Sequence, residues 1–162
     1  MGVVVSWPDA EVWALLGLIV GAMVLGGVVG LDRELANRSA GLRTHMLVAG
    51  AAAVFVMLGE ILLRGYDRGI EPDILRSDPL RLIGAVITGV SFLGAGTIIK
   101  KTGADQGDGV EGLTTAASLL MSAAIGMTIA LRQFWLAIGV VGITLATLRL
   151  LRWLQEWAGW RC

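Results

Sequence analysis

Apolar residues gather in five runs along this chain, with polar residues collected between them. Trp13 to Leu31 reads WALLGLIVGAMVLGGVVGL, and Met46 to Leu63 reads MLVAGAAAVFVMLGEILL, interrupted only by Glu60. Leu82 to Ile99 reads LIGAVITGVSFLGAGTII, Leu113 to Leu131 reads LTTAASLLMSAAIGMTIAL, and Phe134 to Leu148 reads FWLAIGVVGITLATL, extendable to Leu151. At a helical rise of about 1.5 Å, roughly 18–20 residues cross a hydrocarbon layer of about 30 Å. Four runs meet that length outright and the fifth meets it with its extension. Barrel strands would show short alternating segments instead. The pattern therefore predicts an all-α membrane protein, one domain over residues 1–162. Its five transmembrane helices fall near 13–31, 46–63, 82–99, 113–131 and 134–151.

Local chemistry sets several helix limits. "SDPLR" offers Asp78 as N-cap and Pro79 at the first helical position. Arg132 and Gln133 leave room only for a tight turn, so the fourth and fifth helices should form an antiparallel hairpin. Trp153, Trp157 and Trp160 recur at i, i+4 and i+7, which suits an amphipathic interfacial helix at the C-terminal end or a frayed extension of the fifth helix. The first run has Asp9 and Glu11 before it and no basic n-region, so it reads as a retained helix rather than a signal peptide. "MGVVVS" matches a myristoylation pattern by accident, since five spans leave a lipid anchor little to add.

Composition agrees with this pattern. The chain is 56% hydrophobic in 162 residues with a mean hydropathy of +0.76, against about 45–50% apolar in an ordinary soluble domain. Formal net charge is zero, which argues against nucleic acid as a partner. A single cysteine, Cys162, excludes an intrachain disulfide framework. Charge placement gives the orientation. Arg33, Arg38, Arg43, Lys100, Lys101, Arg149, Arg152 and Arg161 fall on one side, and Arg64, Arg68, Arg76, Arg81 and Arg132 on the other. The excess places the N-terminus outside and the C-terminus inside. Trp7, Trp13 and Trp135 then sit at outer ends.

Chemistry is sparse along such a chain. Glycine occurs 23 times, and small residues recur every three or four positions. Ala22, Gly26 and Gly30 make one stripe, Gly17 and Gly21 continue its spacing, and Ser118, Ser122 and Gly126 follow Thr114 in another. Gly84, Thr88, Ser91 and Ala95 make a third. Such stripes allow close helix packing in lipid, and their hydroxyls could instead line a polar pathway. Glu60, followed by Arg64 at i+4, reads as an ion pair or, with Asp78, as a candidate cation-binding site. "GLDREL" ends the first helix with Asp32, Arg33 and Glu34, and "GLRTH" opens the second with Arg43, Thr44 and His45. An inner-face clasp follows as an expectation, with Arg43 pairing Asp32 or Glu34 and with Thr44 and His45 bonding a neighbouring helix end. One imidazole makes no metal site. "KKTGADQGDGVEG" carries Asp105, Asp108 and Glu111 and reads as a solvated turn; magnesium, which needs few protein carboxylates, is the cation it could meet. No nucleophile–base–orienter set stands out, so the chain is not expected to be an enzyme.

Four blocks in order, "GLDREL", "AGLRTHMLV", "DPLRLIGAVITGVSFLGAGTII" and "GLTTAASLLMSAAIG", resemble the MgtC/SapB family of bacterial inner-membrane proteins over nearly the whole chain. The family pattern has Glu where this chain has Asp32, and a basic or neutral residue where it has Glu111. The stretch "TGADQGDG" is longer than usual. The resemblance carries over Asp32, Arg33, Glu34, Gly41, Arg43, Thr44, His45, Asp78, Arg81, Gly94, Gly96, Gly112, Thr114, Thr115 and Ser118 as a functional signature. It implies a role in magnesium homeostasis and adaptation to low magnesium. Two mechanisms are compatible with it: a regulator docking on a membrane partner such as the F-type ATP synthase or on a second copy of itself as a homo-oligomer, or a magnesium transporter or channel. Many members continue into a soluble domain, which this chain is expected to lack.

Overall fold

The computed structural model describes residues 10–66, 79–103 and 106–157. Five helices account for most of them: α1 (Ala10–Leu35), α2 (Leu42–Tyr66), α3 (Pro79–Gly96), α4 (Leu113–Ala130) and α5 (Phe134–Trp157). Pro79 opens α3, where its missing N–H costs no hydrogen bond. Asp78, Asp105, Trp7 and Trp160 lie outside the described residues.

One feature differs from the sequence pattern. The third apolar run does not stay helical to Ile99. The α3 helix ends at Gly96, and β1 (Ile99–Gly103) and β2 (Gln106–Glu111) form an antiparallel hairpin where a solvated turn was predicted. Ile99 pairs with Glu111, Lys100 with Val110 and Lys101 with Gly109, and the register slips between Lys101 and Gly103. The β-branched pair Ile98 and Ile99 favours extended backbone once glycine has ended the helix. At the C-terminal stretch the structure follows the second of the two alternatives: α5 continues as one helix through Trp157, and within the described residues no separate interfacial helix begins.

Helix ends are closed by backbone geometry. Asn37 adopts φ 53° after α1, while the N–H of Arg38 reaches the Arg33 carbonyl and that of Asn37 reaches the Glu34 carbonyl. After α4, Arg132 adopts φ 59°. There the N–H of Gln133 reaches Thr128 and that of Arg132 reaches Ile129. Both are left-handed caps that satisfy last-turn carbonyls. The second one reverses the chain into α5 and makes the predicted α4–α5 hairpin.

The α4 helix packs against all four other helices, and α1, α2 and α5 close around it. Small side chains make up much of its environment, beside a few larger ones such as Leu119 and Ile125 of α4 itself. Ala22, Ala49, Ala53, Ala123 and Ala137 are fully buried, whereas Phe92 is 81% exposed and Trp135 87% exposed. A soluble domain places its large apolar groups inside. The reverse arrangement, small inside and large outside, suits a hydrocarbon surround in which helices associate through close contact. Three helical segments, Ala10–Leu35, Leu42–Leu62 and Leu113–Ala130, are long and apolar enough to cross a membrane; the apolar parts of α3 and α5 among the described residues are shorter.

Backbone approach concentrates where α1, α2 and α4 meet. A Cβ on Gly30 would stand 2.8 Å from the Leu42 Cα and 2.9 Å from the Gly41 carbonyl oxygen. On Gly126 it would collide with the carbonyl of Ala49. Gly17 and Gly21, by contrast, have open space where a Cβ would go. The stripe of α1 is therefore used over its second half only.

Candidate functional site

Five helix ends converge at one end of the bundle, the end that charge placement assigns to the cytosol. His45 sits one turn into α2 and is fully buried. Its Nδ1–H donates to the Gly41 carbonyl at 2.8 Å, because a carbonyl can only accept. Its Nε2 lies 3.0 Å from Ser118 Oγ on α4, and that hydroxyl lies 2.8 Å from the Thr115 carbonyl. With a neutral ring Nε2 accepts, so Ser118 has one proton to divide between Nε2 and Thr115. A chain of polar contacts thus links the start of α2 to the first turns of α4. One turn further along α4, Ser122 is fully buried and its hydroxyl finds no hydrogen-bond partner among the described residues.

The acidic end of α1 is arranged differently from the predicted clasp. Arg33 donates to Asp32 Oδ2 from Nη2 at 2.5 Å and from Nε at 3.2 Å. Arg149, near the C-terminal end of α5, donates from Nε to Oδ1 at 2.6 Å. Asp32 and Arg33 are buried, and Arg149 is 67% exposed at its side chain. Glu34 does not form an ion pair with Arg43. Its Oε2 accepts the N–H of Leu42 at 2.8 Å, capping α2 from the end of α1. A carboxylate there satisfies a free first-turn donor and faces the positive end of the helix. Arg43 and Thr44 point outward and are exposed. The expected ion pair from Arg43 is therefore replaced: Asp32 pairs with Arg33 of its own helix and Arg149 of α5, and α1 meets α2 through Glu34 on the Leu42 N–H. Arg43 stands in the first turn of α2, close to the acidic end of α1 along the chain, but the turn of the helix directs it outward while His45 turns inward.

The remaining signature residues divide by environment. Gly94 packs against Ala116 of α4, with 3.2 Å between its would-be Cβ and the alanine methyl. Gly112 has φ 93° and lies so close to the Thr97 carbonyl that any Cβ would overlap it. Gly96 has no such constraint. Thr115 and Ser118 are buried, whereas Thr114, Arg81 and Glu60 are exposed. Because Asp78 is not described, the proposed Glu60–Asp78 pair has no geometry. No cluster of three or more His, Cys, Asp or Glu that could hold a metal ion occurs among the described residues.

Arg149 and Ser122 were missed as site residues. Arg149 counted only toward tail charge, since sequence gives no sign that α5 ends beside α1. In the sequence Ser122 is one step of a packing stripe, and only burial reveals its unmet hydroxyl.

A family model described as the MgtC family matches residues 19–157, which includes both halves of this cluster. The chain belongs to the MgtC family. Its similarity to "Protein MgtC" of Salmonella typhimurium (strain 14028s / SGSC 2262) is 38% identity over 134 residues, 83% of this chain and 51% of that protein. "Protein MgtC" of Brucella abortus (strain 2308) is 40% identical over 109 residues, 67% of this chain and 39% of the relative. The protein of Escherichia coli (strain K12) named "Putative magnesium transporter YhiD" is 35% identical over 117 residues, 72% of this chain and 51% of the relative. The chain spans about half the length of the curated relatives it matches, or less. No solved structure matches it. As an MgtC-family chain with three helices of spanning length and an apolar exterior, it is a membrane protein.

Proposed function

We propose that this MgtC-family chain is a multi-pass protein of the bacterial inner membrane, with its N-terminus outside and its C-terminus inside. In this reading it serves magnesium homeostasis and adaptation to low magnesium as a non-enzymatic regulator that docks by helix contacts on a membrane partner. The magnesium assignment rests on the family and on the name of the Escherichia coli relative. Docking rests on one observation. Of the small-residue stripes, Ala22, Gly26 and Gly30 of α1 and Ser118, Ser122 and Gly126 of α4 are consumed by packing inside the bundle, but Gly84, Thr88, Ser91 and Ala95 of α3 are all exposed. Gly84 and Gly89 have open space where a Cβ would go, and Thr88 turns its hydroxyl back onto the Gly84 carbonyl at 2.8 Å. A flat helix face in lipid is what a second helix needs for close approach.

A photo-reactive residue at Ser91 should give a discrete protein adduct in native membranes, and Gly84→Leu should abolish it by filling the face. Adducts with lipid alone would overturn docking through α3. The runner-up is a magnesium transporter, favoured by the Escherichia coli relative's name. Against it stands the interior: α1, α2 and α4 approach backbone to backbone at Gly26, Gly30 and Gly126, leaving alanine where a hydrated cation would need width.

A further inference from the structure

Beyond the docking face, the converging end holds a polar cleft of about 650 Å³. Its walls are the α1–α2 connection, the hairpin strand ends and the first turn of α4. Three independent features there ask for the same kind of ligand.

The first is the helix start. The α4 helix is 18 residues long and its N-cap is Gly112, which brings no side chain to the free N–H groups of residues 113–115. Such groups, at the positive end of a helix, ordinarily take a capping oxygen. A longer residue cannot supply it, because Gly112 has φ 93° and its Cβ direction is blocked by the Thr97 carbonyl. The second is Thr115, which is 3% exposed and lies on the cleft wall. Its carbonyl serves Ser118, but its hydroxyl bonds no other described residue. That hydroxyl is not sealed in the interior, where Ser122 Oγ is the buried side-chain group left without a partner among the described residues; it opens on the cleft and can donate to a ligand there. The third is Arg38. It lines the same cleft from the α1–α2 connection, and its guanidinium has no acid partner among the described residues, because Asp32 is taken by Arg33 and Arg149 and Glu34 caps α2.

We propose that this cleft binds a phosphate group. Backbone N–H donors at a helix start, a threonine hydroxyl and a fork-shaped guanidinium are together suited to a tetrahedral oxyanion. Thr114 and Ser39 add exposed hydroxyls on the rim. Glu111 shares that rim and is itself engaged by another group of the chain, so the ligand enters on the Arg38 side. The phosphate is that of a cytosolic phosphoester or of a phospholipid headgroup; both present the same oxygens at this level of the bundle. Occupancy would stiffen the first turn of α4, from which the Thr115 carbonyl leads through Ser118 to His45.

The test uses the full chain in a maltoside detergent, which carries no phosphate. Its unfolding midpoint is followed by tryptophan fluorescence during titration with inorganic phosphate and, separately, with phosphatidic acid. A saturable rise in midpoint is expected with at least one probe. A response to inorganic phosphate identifies a soluble source, and a response to phosphatidic acid alone identifies a headgroup. Arg38→Gln and Thr115→Val should each weaken the response by about tenfold or more, as loss of a charge-assisted or buried hydrogen bond does, and Thr115→Ser should restore it. Without ligand, Thr115→Val should unfold no earlier than the parent, since the hydroxyl holds nothing in the protein. If Thr115→Val proves unstable, Arg38→Gln, an exposed position, decides alone. Absence of a saturable response to both probes, or equal affinity in Arg38→Gln and the parent, overturns the proposal.

Discussion

His45 has no route to water, so its two ring nitrogens depend on Gly41 and Ser118. Removing Ser118 Oγ strands Nε2 in an apolar wall. Ser118→Ala should therefore destabilise the chain by about 1–3 kcal/mol, the cost of a buried polar group left unmet. Thermal unfolding in detergent measures it, and an unchanged midpoint would show that Nε2 finds another donor. Ser122 supplies the contrast at the next turn. Its buried hydroxyl bonds no described residue, so Ser122→Ala should be neutral or stabilising in the same assay; a loss like that of Ser118→Ala would reveal an unseen partner. These two serines look alike in "TTAASLLMSAAIG", each one helical turn apart on the same stripe. Spacing shows that they share a face. It cannot show which of them meets an imidazole, because that depends on how far α2 slides along α4.

At the scale of the element, the ion cluster fixes how α5 meets α1. Asp32 offers one oxygen to Arg33 and the other to Arg149. Arg149 is mostly in the open, so Arg149→Gln should cost no more than about 1 kcal/mol, as exposed ion pairs do. Asp32→Asn leaves the buried guanidinium of Arg33 uncompensated and should cost about 3–5 kcal/mol. Equal losses in the two variants would contradict this division of roles. Glycine stripes give a parallel contrast within α1. Gly30→Ala must displace the α2 backbone and should cost about 1–3 kcal/mol or more; Gly17→Ala meets open space and should be neutral or gain up to about 1 kcal/mol of helix propensity. Detergent-phase unfolding of the pair checks both signs.

Much at this scale was legible in the sequence, and the reason is periodicity. Five apolar runs, Pro79 at a helix start and the two-residue gap after α4 are local signals, and all five helices follow from them. The hairpin from Ile99 was not legible, because "TII" continues the apolar run and only the approach of Gly112 to Thr97 shows that the chain has turned. Pairing partners were harder still. Arg33, Arg38, Arg43 and Arg149 carry the same charge and belong to the same group of basic residues by sequence; which one reaches Asp32 is set by helix rotation and by the position of α5, neither of which charge counting contains.

Over the whole molecule, the account is of a closed bundle. Many of its large apolar groups face outward, small residues let α1, α2 and α4 approach closely, and α3 presents an open small-residue face at the side. Epitope tags should place the N-terminus outside and the C-terminus inside, in keeping with the excess of basic residues on the inner loops; tags in one compartment would contradict five crossings. The most direct measurement is magnesium entry into sealed liposomes containing the purified chain and an internal magnesium-sensitive dye. The account predicts the same slow entry as in protein-free vesicles. Faster entry that is abolished by Glu60→Gln would contradict it and make the bundle a conduit.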